Sequence, residues 1–242
     1  MRTHEISSLI DFMNLLNANM IDANGVDIPR AKLYRGVSNT TYQLIPSIAR
    51  GIKKEFLPGL ETGTLKKFKT MAIPYLNNFP ANDWEWMMLA QHHGVPTRLL
   101  DWTTNPLVAL YFACADKENA DKDGAVYRRT GDEALRLDEA AFPASPFKIE
   151  KVYYIFPSHI SPRITSQSGA FTISPNPTEP LPDLPDDEWN TNDIIVVKAN
   201  AKSKILNQLN YLNINAATLF PGMDGIAQYI KYENDNIFKK LL

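Results

Sequence analysis

A chain of 242 residues, 44% hydrophobic and 21% charged, has the composition of a soluble globular protein and the length for a sizeable core. Its net charge of -2 excludes a global basic field for nucleic acid and leaves room only for a local patch. A single cysteine, Cys114, excludes an internal disulfide framework and a thiolate zinc site, and its apolar surroundings predict a buried structural thiol.

The first residues, Met1 to Ser8, lack the basic-then-apolar layout of a signal peptide, and no apolar run reaches membrane-spanning length, so a cytoplasmic location without membrane contact is expected. Ser7 or Ser8 can cap a first helix in which Leu9, Ile10, Phe12, Met13, Leu15 and Leu16 recur at helical spacing. Asn24-Gly25 and Pro29 close that region, giving an N-terminal helical segment over 1–29 and a main domain over 30–242. Lys32 to Val37 reads as a short strand. Leu65 to Phe79 reads as a helix that Pro74 kinks or divides. Asn82-Asp83 caps a helix through Ala90 that delivers Gln91 and His92 at its C-terminal end. Pro106 suits the first turn of a buried helix, Leu107 to Ala113, whose N-terminus lies at Thr103-Thr104-Asn105.

The pattern then changes to strands at Gly124–Arg128, Lys151–Phe156, Gly169–Ile173 and Asp193–Lys198, all rich in β-branched or aromatic residues and bounded by turn residues. Pro175 to Asn192 reads as an exposed loop, and Ser203–Leu212 and Pro221–Ile230 as helices. This order favours a single α+β domain over a βαβ array.

The densest chemistry lies between Gln91 and Pro106, where two imidazoles, an Arg, an Asp, a Trp and two hydroxyls adjoin an apolar helix. The stretch is either a buried polar network or the wall of a site. Thr103 and Thr104 can cap the Pro106 helix, or bind an anion or a ribose together with its free amides. His92 and His93 are adjacent and point apart on most backbones, so a joint metal site is not expected; one of them can be a general base or a hydrogen-bonded core histidine. Arg98 and Asp101, three apart, are expected to form a buried pair. Trp84, Trp86 and Trp102 are expected in the core. Gln167-Ser168-Gly169 can place an amide and a hydroxyl at a site or form a plain turn, and Asp224 can cap the last helix. Arg35, at the end of a strand closing on Gly36, suits bidentate contact with phosphate or carboxylate, although a lone Arg in that position is commonly a surface residue.

Together these segments resemble the FRG domain family, named for a Phe/Tyr-Arg-Gly motif that Tyr34-Arg35-Gly36 supplies here. The resemblance continues through Leu44-Ile-Pro-Ser47 with Arg50, the block Gln91–Ala113, Arg163-Ile164 with Gln167–Phe171, and Leu219–Gly225. A more distant resemblance is to Arg-type ADP-ribosyltransferases. Leu33-Tyr34-Arg35-Gly36 is similar to their first core strand, and Trp102 to Ala113 to their Ser/Thr strand and helix. Where those enzymes carry a Glu, Arg163 to Ile173 has none, and Gln167 is the nearest substitute.

The resemblance implies an ADP-ribosyltransferase-like split, twisted β-sheet with helices packed around it. It implies NAD-dependent ADP-ribosyl transfer, with NAD as co-substrate and no metal, of the kind found in bacterial toxins and anti-phage effectors. Arg35 and Gly36 would meet the NAD phosphates or ribose, Thr103 and Thr104 the nicotinamide ribose, and Tyr111 or Phe171 would stack on nicotinamide. Gln167 would stand at the catalytic position and His93 would deprotonate the acceptor. A neutral amide stabilises an oxocarbenium ion far less than a carboxylate does, so Asp101 or Asp224 would supply the acid if another residue does. The acceptor would be a protein, RNA or DNA, and a toxic enzyme would need an antitoxin. The alternatives are a non-catalytic nucleotide- or nucleic-acid-binding module and an NAD glycohydrolase.

Overall fold

The computed structural model describes residues 2–17, 32–130, 136–137, 141–157, 162–182 and 192–241. Its strands are β1 (Arg2–Ile6), β2 (Lys32–Val37), β3 (Leu99–Thr103), β4 (Gly124–Thr130), β5 (Arg136–Leu137), β6 (Tyr153–Ile155), β7 (Gly169–Ile173) and β8 (Asn192–Val197). Its helices are α1 (Leu9–Asn17), α2 (Leu57–Ala72), α3 (Asp83–His92), α4 (Pro106–Cys114), α5 (Pro162–Ser166), α6 (Ala199–Tyr211), α7 (Ala216–Leu219) and α8 (Met223–Leu241). The eight described strands join one sheet in the order β1-β8-β4-β2-β3-β7-β6-β5, so the expectation of helices and strands mixed in one domain holds.

The sheet is weakest at its middle. β2 pairs with β4 over six residues, and β3 with β7 over five, but β2 and β3 share one registered pair, Tyr34 with Thr103. Each half has a buried cluster of its own, and a third crosses the seam. Phe12 and Leu16 of α1, Leu110 of α4 and Ile205 of α6 cover Val126, Ile195 and Val197 on one half. Leu65 of α2 with Trp84 and Met88 of α3 covers Leu99, Ile155 and Ile173 on the other. Leu33, Leu100, Trp102 and Tyr154 form a further cluster with Leu44 and Leu181.

Local chemistry explains the elements that frame the cleft. Asn82 caps α3 by accepting from the amides of Trp84 and Glu85, both at 3.0 Å. Glu85 reaches back to accept from the Ala81 amide at 2.8 Å, so three backbone donors are satisfied at that end. Pro106 occupies the first turn of α4, and Asn105 accepts from the Leu107 amide at 3.0 Å. α4 packs so closely on β2 that a Cβ on Gly36 would stand 1.9 Å from the Ala109 carbonyl oxygen. Trp84, Trp86 and Trp102 are all buried, as expected.

Several boundaries differ from the sequence reading. The N-terminal segment is helical only from Leu9; Arg2–Ile6 is a strand paired in parallel with β8, held by Asp193, which takes the Arg2 Nε at 3.1 Å and a second ion pair from Arg128. α2 begins eight residues before Leu65 and ends at Ala72, where Ile73–Tyr75 tightens into a 3-10 turn around Pro74. β6 keeps only Tyr153–Ile155 of the expected strand, and β5 was not foreseen. α6 starts at Ala199, and α8 runs to Leu241. Leu181, inside the expected exposed loop, is buried and donates its amide to the Leu44 carbonyl at 3.0 Å. Asn24-Gly25, Pro29 and the 29/30 boundary lie outside the described residues, as do 183–191 of that loop. No described helix is long and apolar enough to cross a membrane.

Candidate functional site

A cleft of about 380 Å³ lies over the seam between β2 and β3. Its floor is Tyr34, Arg35 and Gly36 of β2 with Asp101, Trp102 and Thr103 of β3. Gln91 and His92, at the end of α3, stand on one wall, and Ser47 and Arg50 on another. Phe112 of α4, Arg163 and Gln167 from the α5 region, and Phe171 of β7 complete it.

Arg35 spans the seam. Its side chain is 15% exposed, and one terminal nitrogen donates to the Asp101 carbonyl at 2.6 Å, with the Asp101 carboxylate at 3.9 Å. Its Nε is buried with no hydrogen-bond partner. Burial pulls the guanidinium pKa down, Asp101 opposes that shift, and nearby Arg50 adds to it. The group stays charged at neutral pH regardless. A buried N–H without a partner has a free-energy cost unless something accepts it, which makes Arg35 a poised donor.

A chain of hydrogen bonds orients Asp101. Gln91 Nε2 donates to both carboxylate oxygens at 2.9 Å. Thr97 Oγ1 donates to Gln91 Oε1 at 2.7 Å and accepts from the Leu99 amide at 3.1 Å. Asp101 is therefore fixed, yet 58% exposed toward the cleft. Among the described residues it is the one carboxylate in the lining, against the guanidiniums of Arg35, Arg50 and Arg163. Arg50 Nε donates to the Ile45 carbonyl at 3.1 Å. The Arg163 guanidinium lies 4.8 Å from the Phe220 ring centre and donates to the His92 carbonyl at 3.4 Å. A surplus of cations in a part-buried cleft favours an anionic ligand.

The expected site residues divide. Arg35, Gly36, Thr103, Gln167 and Phe171 line the cleft. Gly36 is small because α4 leaves no room for a Cβ, which gives it a packing role beside any contact with ligand. Thr103 Oγ1 donates to the Gln167 carbonyl at 2.6 Å and accepts from the Asn105 amide at 3.0 Å, so its hydroxyl ties the loop. Gln167 Nε2 donates to the Leu219 carbonyl at 2.9 Å, anchoring α7. Thr104 is exposed outside the lining, and its amide donates to the Ser168 carbonyl at 2.9 Å.

Four expectations find a different place in the structure. His93 is the exposed residue closing α3, with its ring 6.5 Å from Phe68; His92 is the imidazole that lines the cleft. Burial, then His93 and Arg163, hold the His92 pKa below the usual 6.5. Tyr111 lines a different cavity, of about 300 Å³ between α4, α6 and α8, while its neighbour Phe112 faces the cleft. Asp224 lies in the first turn of α8 and outside the lining. The Arg98–Asp101 pair does not form. Arg98 instead makes a bidentate buried pair with Glu61, at 2.7 and 2.6 Å. The cleft roles of Gln91, Arg50 and Arg163 were missed as chemistry. Their signal was that all three stand in segments of the family resemblance.

Comparison with known proteins adds one finding. The FRG domain model matches residues 30–122, a span that includes Arg35, Arg50, Gln91, His92 and Asp101 and ends before Arg163 and Gln167. Neither the curated proteins nor the solved structures give a match.

Proposed function

We propose that this chain, with its FRG domain, binds NAD as co-substrate in the cleft over the β2–β3 seam and transfers the ADP-ribosyl group to a macromolecular acceptor. The observation that carries the reading is the buried, unpartnered Nε of Arg35, set with two more guanidiniums around one oriented carboxylate. A pyrophosphate offsets the cationic surplus, and a turn of the Arg35 side chain toward it would give the buried Nε an acceptor. The volume of the cleft lies within the usual range of small-molecule sites.

In this reading the bond between nicotinamide nitrogen and ribose C1′ breaks, and nicotinamide leaves with the electron pair. Asp101 supplies the anion beside the developing positive charge, in place of the Glu that the ADP-ribosyltransferase resemblance leads one to expect. At ~4 Å and an effective dielectric constant near 20, such a charge is worth about 4 kcal/mol. The acceptor lone pair forms the new bond to C1′, and its proton passes to His92, which burial keeps neutral at pH 7. Gln167, held by Leu219, positions the wall.

A second reading is a nucleotide-binding module without transfer. The observation that favours it is that Thr103 and Gln167 both direct their side chains to backbone partners. Incubation with labelled NAD and cell extract, protein, RNA or DNA, combined with nicotinamide release and calorimetry of ADP-ribose binding, separates the readings. Transfer predicts label on a macromolecule and nicotinamide release, with Asp101→Asn about 10²–10³-fold slower but still binding. Binding without release leaves the module, release without label leaves a glycohydrolase, and absence of binding refutes all three.

A further inference from the structure

The near-neutral chain conceals a segregated charge. Residues 50–69 hold six cations, Arg50, Lys53, Lys54, Lys66, Lys67 and Lys69, against Glu55 and Glu61. Glu61 is buried and neutralised by Arg98. The rest of the chain holds 19 basic and 25 acidic residues. Arg50, Lys53, Lys54, Lys66 and Lys67 are all exposed.

This segment borders the cleft at both ends. It starts at Arg50, part of the lining. Farther along α2, Thr64 and Leu65 pack beside Val95, another lining residue, and Phe68 lies against His93. Lys66 lies nine residues beyond the start of α2, so the two lysine pairs are separated by ~14 Å of helix, a span for several phosphates. One large ring stands exposed beside the first pair: Phe56, 64% exposed, two residues after Lys54 with Glu55 between them. Lysine pairs beside an exposed aromatic ring match the backbone and a stacked base of an unpaired strand. Lys69 is held by Asp83, and Lys54 lies 3.7 Å from exposed Glu179, a pair that a phosphate can displace.

We infer that the macromolecular partner of the cleft is single-stranded nucleic acid, its phosphates lying along residues 50–67 and one base turned toward Asp101 and His92. The binding stands on the patch; the role of that strand as acceptor rests on the transferase reading above. In the transfer, a base nitrogen lone pair forms the bond to ribose C1′. Nicotinamide leaves with the electrons of the broken bond, and the N–H proton passes to His92.

The test is fluorescence anisotropy of the full chain with a labelled 12-nucleotide single strand, as RNA and as DNA, across salt concentrations. The variants are Lys53→Glu/Lys54→Glu and Lys66→Glu/Lys67→Glu, with Lys204→Glu/Lys231→Glu outside the patch as control, all checked for native melting. Both patch variants are expected to weaken binding at least 10-fold and flatten the salt dependence by about one unit, while the control binds normally. The RNA and DNA arms tell which sugar is preferred. No saturable binding at low salt, equal loss in the control, or tighter binding to phosphatidylserine vesicles overturns the inference. Nicotinamide release and ADP-ribose binding are followed on the same proteins. If those persist without strand binding, only this inference falls. If the strand binds and NAD is not consumed, the transferase reading falls and the docking surface remains.

Discussion

Removing the Glu61 carboxylate should destabilise the protein more than almost any other single charge deletion. Glu61 of α2 and Arg98, one residue before β3, have side chains 2% and 6% exposed. Besides its two bonds to Glu61, Arg98 donates to the Pro146 carbonyl at 3.1 Å and lies 5.4 Å from the Phe147 ring centre. Glu61→Ala leaves a buried guanidinium with one neutral acceptor. Breaking such a pair costs about 3–5 kcal/mol. For a chain of this size, at roughly 2–4 °C per kcal/mol, the melting temperature should fall by about 6–20 °C. Urea unfolding read by tryptophan fluorescence gives the free energy directly, and Glu61→Leu/Arg98→Met should recover most of it because both charges then leave the interior. A loss below about 1 kcal/mol, the worth of a surface pair, would refute the argument, as would a double variant no better than Glu61→Ala.

Other outcomes follow from single contacts. Gly36→Ala should cost several kcal/mol or prevent folding, because its methyl would overlap the Ala109 carbonyl; a native-like melt would show that β2 and α4 are less tightly apposed. The lowered His92 pKa adds stability that is fully present above 6.5, the unfolded value, and is lost as pH falls through the folded one. Stability measured below pH 6.5 should therefore fall less steeply in His92→Gln. Cys114, its thiol pushed up to about 12 by burial, should resist iodoacetamide at pH 8 and react once urea unfolds the chain; fast native labelling would contradict its burial.

What the sequence disclosed follows the range of the interactions involved. Asn82, Pro106 and the apolar run after it act within one helical turn, so α3 and α4 were legible. Arg35 was legible as an anion-binding candidate because it stands beside a Gly that only close packing explains. The Arg98–Asp101 pair failed because spacing by three suits a helix, whereas this stretch runs into strand β3, and Arg98, in the bend just before it, turns to Glu61. Glu61 could not be named as the true partner, since it lies 37 residues away and a packing contact decides the choice. The expectation for Tyr111 fails for the same reason: adjacent residues on a helix differ by about 100° in direction, and the sequence does not say which faces a cavity. β1 escaped notice because Arg2–Ile6 is polar and gains its order from parallel pairing with a strand almost two hundred residues later.

The single registered pair between β2 and β3 makes the middle of the sheet a mechanical joint. With so little backbone pairing there, the coupling of amide exchange between the two half-sheets should rest on side chains that cross the joint, Leu33 of β2 clustered with Leu100 and Trp102 of β3. Arg35 is the rivet across that joint, anchored in one half and bonded to the backbone of the other. A ligand that engages its free Nε adds a third body to the rivet, so occupancy should slow exchange at Tyr34 and Thr103 together, far beyond the residues it touches.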